Sequence, residues 1–286
     1  LHRPGPRELG HMKKYLQCCF VLLVVSSGAV LSSEVSAREM PIMYGAKTQL
    51  FLWRSFVGLQ PDRAFLYEIA PDGESYPRKI ARYFQKKGAG IWIEQSEFVN
   101  YIHHVRSQLE CMRVGGQKLD CAILYFSSHG LPTSLLSYDG THAVSYGVVA
   151  EELWKIRRVM DAINPRSHLV VVNQSCYSQA MMTFGNLEKM ERLTVLCSAS
   201  GASLGLSSFS RYFLEELPGF SRTMTWRGLY ERIGKRYKTW WWCKDDSRWY
   251  WITPAFRNEA GEWNTFSQET RSWETITSEQ DDVVPN

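Results

Sequence analysis

Apolar residues along the chain follow two patterns in turn, one typical of strands and one typical of helices. Short continuous apolar runs predict buried strands at Thr48–Phe56, Ala89–Ser96, Cys121–Gly130, Ser167–Cys176 and Arg192–Ser200. Apolar residues at every third or fourth position predict helices at Ser75–Gly88, Ser96–Arg113, Tyr146–Ile163, Ser207–Gly219 and Thr225–Trp242. Strands that alternate with helices and are apolar on both faces predict an α/β fold, in which helices cover both faces of a mostly parallel sheet.

The first part of the sequence has the pattern of a secretory signal peptide. A charged start at Met12 is followed by an apolar stretch from Cys18 to Leu31 and by small residues up to Ala37. The apolar stretch is short for a spanning helix, so cleavage is preferred, and a retained membrane anchor is the alternative. We therefore expect four segments: upstream residues 1–11, a signal peptide 12–37, one α/β domain 38–266 and a polar tail 267–286.

Composition and charge narrow the classes of function. The net charge of +4 is small and its charges are scattered, which argues against nucleic-acid binding. After the signal peptide, no segment has the length and apolarity of a membrane span. The oligomeric state is left open by the sequence.

The cysteines predict neither a zinc site nor a complete set of disulfides. Seven are present, and two of them, Cys18 and Cys19, belong to the signal peptide. The five that remain are Cys111, Cys121, Cys176, Cys197 and Cys243. An odd number leaves at least one unpaired thiol, and any pairing among the other four stays open. Their spacing includes no metal-binding pair, so we expect no metal and no cofactor.

Two of the predicted strands end in residues that can carry chemistry. One run ends at His129 and Gly130, and the other ends at Gln174, Ser175 and Cys176. A single helix separates the two strands, so we expect them to lie side by side and parallel, with His129 and Cys176 facing each other. An imidazole beside a thiol can take its proton and produce a nucleophile. The backbone N–H groups of Gly130 and Cys176 are the candidate donors to an oxyanion.

The motifs ILYFSSHG (Ile123–Gly130) and VVVNQSCYSQAMM (Val170–Met182) resemble the legumain family of cysteine peptidases. That family belongs to clan CD, and the caspases belong to the same clan. The resemblance, closest to bacterial sequences, extends into Leu196–Ser208. It implies a caspase-like three-layer sandwich, with Cys176 as nucleophile, His129 as acid and base, and Gly130 with Cys176 as oxyanion donors. The family pattern has alanine and glycine where this chain has Ser175 and Gln179.

The same resemblance implies a specificity pocket and a peptide or protein substrate. Gln174, two residues before the nucleophile, corresponds to a pocket residue of the clan, and Ser200 would lie on the pocket wall. Arg54, late in the first predicted strand, could lie below it, which would suit cleavage after Asn or Asp. The alternative for Arg54 is a solvated charge at the end of a strand.

Other interpretations of the sequence predict different functions. GASLG (Gly201–Gly205) fits the nucleophile elbow of α/β-hydrolases, but no histidine follows His168, so that reading lacks a base. A transpeptidase that uses the same dyad and a catalytically idle binding module remain as alternatives. We interpret His103, His104, His142 and His168 as structural or solvent-exposed. The tryptophan-rich stretch Trp240–Trp251 favours packing, with a substrate subsite as the alternative.

The signal peptide generates the first testable prediction. Expression from Met12 is expected to yield an exported protein whose first residue is near Arg38, because the small residues up to Ala37 suit signal peptidase. N-terminal sequencing of the exported material measures this. Exported protein that still begins at Met12 would make the segment an anchor.

Overall fold

The computed structural model describes most of the chain from residue 40 onward. The described ranges are 40–55, 70–94, 97–136, 142–199, 208–218, 224–237, 239–243, 248–252, 254–258, 261 and 263–265. The expected upstream segment, signal peptide and C-terminal tail lie outside these ranges, so they stay predictions.

The described chain contains five α-helices and twelve strands, and strands and helices alternate from β1 to β3 as the apolar pattern predicts. The helices are α1 (Tyr76–Lys86), α2 (Phe98–Val114), α3 (Tyr146–Ile163), α4 (Ser208–Glu216) and α5 (Trp226–Tyr237). The strands before α4 are β1 (Thr48–Arg54), β2 (Gly90–Glu94), β3 (Cys121–Ser127), β4 (Gly130–Leu131), β5 (Ser134–Leu136), β6 (Ala143–Ser145), β7 (His168–Gln174) and β8 (Leu193–Cys197). The strands after α5 are β9 (Thr239–Cys243), β10 (Arg248–Ile252), β11 (Ala255–Arg257) and β12 (Trp263–Thr265).

A seven-stranded sheet forms the centre of the fold, in the order β12-β11-β8-β7-β3-β1-β2. The five strands from β8 to β2 are parallel to their neighbours, whereas β11 and β12 pair antiparallel at one edge. The expected side-by-side arrangement of β3 and β7 is confirmed, since the two pair in parallel along their full length. The carboxyl ends of the parallel strands therefore meet at one rim, where α/β sheets bind ligands.

Helices cover both faces of this sheet, so the three-layer α/β sandwich is confirmed. Alternation along the strands directs Trp53 and Phe126 to the face covered by α2 and α3. It directs Leu52 and Tyr125 to the opposite face, which α1, α4 and α5 cover. Both faces are buried, which explains why the strands are continuous apolar runs and not alternating ones.

Two parts of the fold differ from the sequence-based expectations. The last predicted helix ends at Tyr237 and not at Trp242, and Trp240–Trp242 belong to β9, which pairs antiparallel with β10. Aromatic residues in succession favour strands over helices, and the helical period does not continue through them. The small sheet of β4, β5 and β6 was not predicted, because strands of two or three residues have no readable period.

A buried arginine attaches the antiparallel edge to the rest of the sheet. The Arg257 side chain on β11 donates hydrogen bonds to the carbonyl oxygens of Leu193, at 2.6 Å, and Glu188, at 2.7 Å. Burial lowers the pKa of Arg257, and the carbonyl oxygens offset part of the cost of desolvating its guanidinium group. The C-terminal strand β11 is thereby fixed to the segment before β8.

The described residues contain neither a membrane-spanning helix nor a metal-binding cluster. Among them, no helix has both the length and the apolar character needed to cross a bilayer. The same residues contain no group of three or more His, Cys, Asp or Glu side chains arranged to hold a metal ion.

Candidate active site

The ends of β3 and β7 are level with each other at the carboxyl rim of the sheet. Ser127, the last residue of β3, is paired with Gln174, the last residue of β7. One residue further, the Ser128 N–H donates to the Gln174 carbonyl oxygen at 3.2 Å. His129 and Cys176 therefore each follow two residues after the end of their own strand, on neighbouring strands.

Gly130 is in close contact with the backbone of Cys176. A Cβ atom at residue 130 would overlap the Cys176 carbonyl oxygen and would approach the Ser175 side chain to 2.9 Å. Only glycine fits this approach without displacing one of the two segments. The contact brings the segment after β3 against the segment that carries the thiol.

The register of β4 and β5 sets the direction of the Gly130 N–H. Gly130 is opposite Leu135, and the Leu136 N–H donates to the His129 carbonyl oxygen at 3.0 Å. This pattern makes Gly130 and Leu135 a non-hydrogen-bonded pair, in which the backbone groups of both residues point away from the partner strand. The Gly130 N–H is therefore directed away from β5.

Cys176 lies at the start of a tight turn at the end of β7. The next residue, Tyr177, has a left-handed backbone with φ 54°. The turn is attached to the end of β8 by Ser178, whose hydroxyl accepts from the Ala199 N–H at 3.0 Å and lies 3.2 Å from the Ala199 carbonyl oxygen. Side-chain hydrogen bonds of this kind support a backbone conformation that a residue other than glycine rarely adopts.

Among the described cysteines, burial separates Cys176 from two others. Cys121 and Cys197 are fully buried. Burial raises the pKa of the Cys197 thiol to about 12, and it raises the pKa of the Cys121 thiol as well. Both thiols therefore stay protonated at neutral pH. Cys176 is half-buried at the rim, and Cys111 is exposed on α2.

The side chain of Gln174 is buried and held by two hydroxyl groups. It is 4% exposed, and its Oε1 accepts hydrogen bonds from the Tyr125 hydroxyl, at 2.9 Å, and from the Ser210 hydroxyl on α4. The two hydroxyls are themselves 3.0 Å apart. The amide is thereby fixed with its oxygen toward Tyr125 and Ser210, so its NH2 group lies on the other side.

Arg54 is in the same row of the sheet as Gln174. Arg54 is paired with Ser127, and Ser127 is paired with Gln174, so the three side chains share one face. Arg54 is only 6% exposed, so it is not the solvated strand-end charge considered as the alternative. A row of three strands spans about 10 Å, which is within reach of an arginine and a glutamine acting on one ligand.

The remaining predicted pocket residue, Ser200, and the hydrolase-like motif at Gly201–Gly205 lie outside the described residues. Sequence reasoning also missed Tyr125, Ser210 and Ser198. Their hydroxyls are buried, but Tyr125 is within an apolar run, Ser198 is near the end of a predicted strand and Ser210 is within a predicted helix. Nothing in the order of residues marks these positions.

Comparison with known proteins identifies the fold of this chain but not its sequence family. No family model matches the chain, and no curated protein matches it. The structure of caspase-1 from Spodoptera frugiperda matches with a TM-score of 0.52 at 10% identity, covering 77% of this chain and 94% of the caspase chain. A structure of pro-sf-caspase-1 matches with a TM-score of 0.45 at 9% identity, covering 68% and 81% of the two chains. The chain thus has a caspase-like fold.

The contact between Gly130 and Cys176 generates the second prediction. Gly130→Ala is expected to lower the free energy of unfolding by about 1–3 kcal/mol, because its methyl group overlaps the Cys176 carbonyl oxygen. The change should also alter the rate at which iodoacetamide alkylates Cys176. Urea unfolding and mass spectrometry of the alkylated peptide measure the two effects.

Gly147→Ala is the matched control for that substitution. Gly147 is in the first turn of α3, where a Cβ atom would meet only the Ser145 hydroxyl, at 3.7 Å. Alanine there should leave stability unchanged or raise it by up to about 1 kcal/mol. If Gly130→Ala behaved like Gly147→Ala in both measurements, the close approach would be refuted.

Proposed function

We propose that the protein is a cysteine endopeptidase of legumain type, which cleaves peptide bonds through a Cys176–His129 dyad. The observation that carries this proposal is the contact of Gly130 with Cys176, since it joins the two segments that bear the imidazole and the thiol. The half-buried position of Cys176 supports it, because a nucleophile must be reachable by substrate. The legumain-like motifs around both residues give the proposal its family.

In the proposed reaction, His129 accepts the proton of Cys176, and the thiolate attacks the carbonyl carbon of the scissile bond. A carbon–sulfur bond forms, and the carbonyl oxygen becomes an oxyanion that accepts from the N–H groups of Gly130 and Cys176. The carbon–nitrogen bond then breaks, and His129 gives its proton to the departing amine. Water, deprotonated by His129, attacks the thioester, so the carbon–sulfur bond breaks, the acid is released and the thiol regains its proton.

The outcome of the second half-reaction distinguishes hydrolysis from peptide transfer. A transpeptidase would use a second amine in place of water to resolve the same thioester. Mass analysis of the products, with and without an added acceptor amine, separates these two outcomes. We favour hydrolysis, and the exported location expected from the signal peptide is part of the proposal.

For the substrate we propose a preference for Asn or Asp before the scissile bond. The Gln174 amide, with its oxygen held by Tyr125 and Ser210, can donate from its NH2 group to a carboxylate or amide oxygen. Arg54 on the same sheet row would add a cation, which favours Asp over Asn. Ser200 is assigned to the pocket wall on the resemblance alone.

The dyad generates the third prediction. Cys176→Ala and His129→Ala are each expected to lower kcat by at least about a thousandfold, while melting temperatures stay near wild type. The double variant should be no worse than either single variant, because the two side chains act as one unit. Turnover of peptides from a cleavage library, fitted for kcat and KM, measures the effect.

A peptidyl acyloxymethyl ketone tests the same dyad without turnover and also tests the binding-module alternative. The label is expected on Cys176 and not on Cys111, although Cys111 is exposed and should react with iodoacetamide. Cys111→Ala is the control and should leave both labelling of Cys176 and turnover intact. Full activity in Cys176→Ala, or loss of activity only in Ser203→Ala, would contradict the thiol mechanism.

The pocket generates the fourth prediction. Arg54→Gln is expected to shift preference from Asp toward Asn, because the buried cation on the Gln174 row is lost. Loss of one charged hydrogen-bond partner should lower kcat/KM for the Asp substrate by about a hundredfold. Gln174→Glu should likewise weaken Asp substrates, because two carboxylates would then face each other.

Paired peptides that differ only in Asn or Asp measure this selectivity as a ratio of kcat/KM values. Arg113→Gln, at the exposed end of α2, is the matched control, and its ratio should equal that of wild type. A ratio that neither Arg54→Gln nor Gln174→Glu moves would show that other residues form the pocket.

A further inference from the structure

We propose that Ser198, the residue immediately after β8, is a positioning residue that sets the direction of the Cys176 N–H. The inference rests on the proposed thiol chemistry, and it adds a residue to which the resemblance assigns no role. Ser198 is fully buried and cannot touch a substrate. Its hydroxyl therefore acts through the backbone of the turn that carries Cys176.

The first step of the argument is the hydrogen bond that Ser198 makes. Its hydroxyl donates to the carbonyl oxygen of Ser175 at 3.0 Å, while its backbone N–H donates to the Asn173 carbonyl oxygen at 3.0 Å. Ser198 therefore continues the pairing of β7 with β8 past the end of both strands, with a side chain in place of a backbone donor. The Ser175 carbonyl oxygen is held on the β8 side.

The second step follows from the geometry of the peptide group. The Ser175–Cys176 peptide bond is trans, so its C=O and N–H point in opposite directions. A carbonyl held toward β8 directs the Cys176 N–H toward the other neighbour of β7, which is β3. Two observations agree with this direction: the Gln174 carbonyl oxygen accepts from Ser128 on the β3 side, and the Cys176 carbonyl oxygen lies against Gly130.

The third step is that the rest of the turn supports the same orientation. The Ser175 hydroxyl donates to Asn173 Oδ1 at 2.8 Å, and the Asn173 amide donates to the Ser178 carbonyl oxygen at 3.4 Å. These contacts bind the residues before and after Cys176 to β7. The Ser198 hydroxyl contacts the Ser175 carbonyl oxygen, which belongs to the peptide group that carries the Cys176 N–H.

The chemical consequence concerns the oxyanion. Gly130 and Cys176 would each supply one N–H, and a donor helps only if it is already aimed at the place where charge develops. Ser198 fixes one of these two donors without touching the substrate or the sulfur. Its loss should therefore affect the transition state more than substrate binding.

Ser198→Ala, assayed in the full chain on the peptide that wild type cleaves fastest, tests the proposal. We expect kcat to fall by about 10- to 30-fold with KM nearly unchanged, less than the roughly 10²–10³-fold loss when an oxyanion donor is removed altogether. Affinity for the corresponding peptide aldehyde should fall by a similar factor, because the Cys176 thiol adds to it as a hemithioacetal whose oxygen occupies the oxyanion position. The rate of Cys176 alkylation by iodoacetamide, which needs no oxyanion donor, should stay at the wild-type value.

Thr194→Val is the matched control, since it also removes a buried hydroxyl from β8. Thr194 is 1% exposed, and its hydroxyl makes no hydrogen bond within the described ranges. This variant should keep wild-type kcat and aldehyde affinity.

Three outcomes are decisive. A wild-type kcat in Ser198→Ala would overturn the positioning role, and so would a parallel fall in kcat and alkylation rate, which would indicate a displaced thiol. If Cys176→Ala hydrolysed peptides as fast as the wild-type chain, the proposed function would instead be overturned, and the positioning role with it.

Discussion

The parallel pairing of β3 with β7 is the constraint on which the candidate site depends. Its register places Ser127 opposite Gln174, so both strands leave the sheet at the same level. A slip of one residue would turn every side chain of one strand to the opposite face. Buried apolar residues on both faces of both strands prevent such a slip, because it would exchange the two halves of the core. Packing of the core thus fixes where the thiol and the imidazole emerge.

Much of this frame could be predicted from the sequence, because it depends on long apolar runs. The apolar pattern predicts β3, β7 and the helix between them. That helix, α3, has the bounds Tyr146–Ile163 that its period predicts. The end of β7 was placed two residues too late, since the chain leaves the sheet at Gln174. Trp240–Trp242 are assigned to the end of a predicted helix because all three are apolar, and three residues give no period that distinguishes a strand from a helix.

The details of the site could not be predicted, because they depend on contacts between distant residues. A serine after a strand is usually read as a solvated loop residue, yet Ser198 and Ser175 are buried and hydrogen-bonded. The need for glycine at residue 130 is set by the position of Cys176 in space and not by its neighbours in sequence. The resemblance draws attention to His129 and Cys176, but it does not indicate the hydrogen bonds around them. At 10% identity, the likeness to a caspase extends to the fold alone.

The attachment of β11 to β8 has a consequence for the order in which the protein matures. β8 ends at Cys197, next to Ser198, and its outer edge is covered by residues 255–257, which are synthesised long after Cys176. While the nascent chain lacks them, β8 is an open edge, and the Leu193 and Glu188 carbonyl oxygens have not yet met the Arg257 guanidinium. The turn that carries Cys176 therefore has a complete sheet beside it only when the distal part of the chain has left the ribosome.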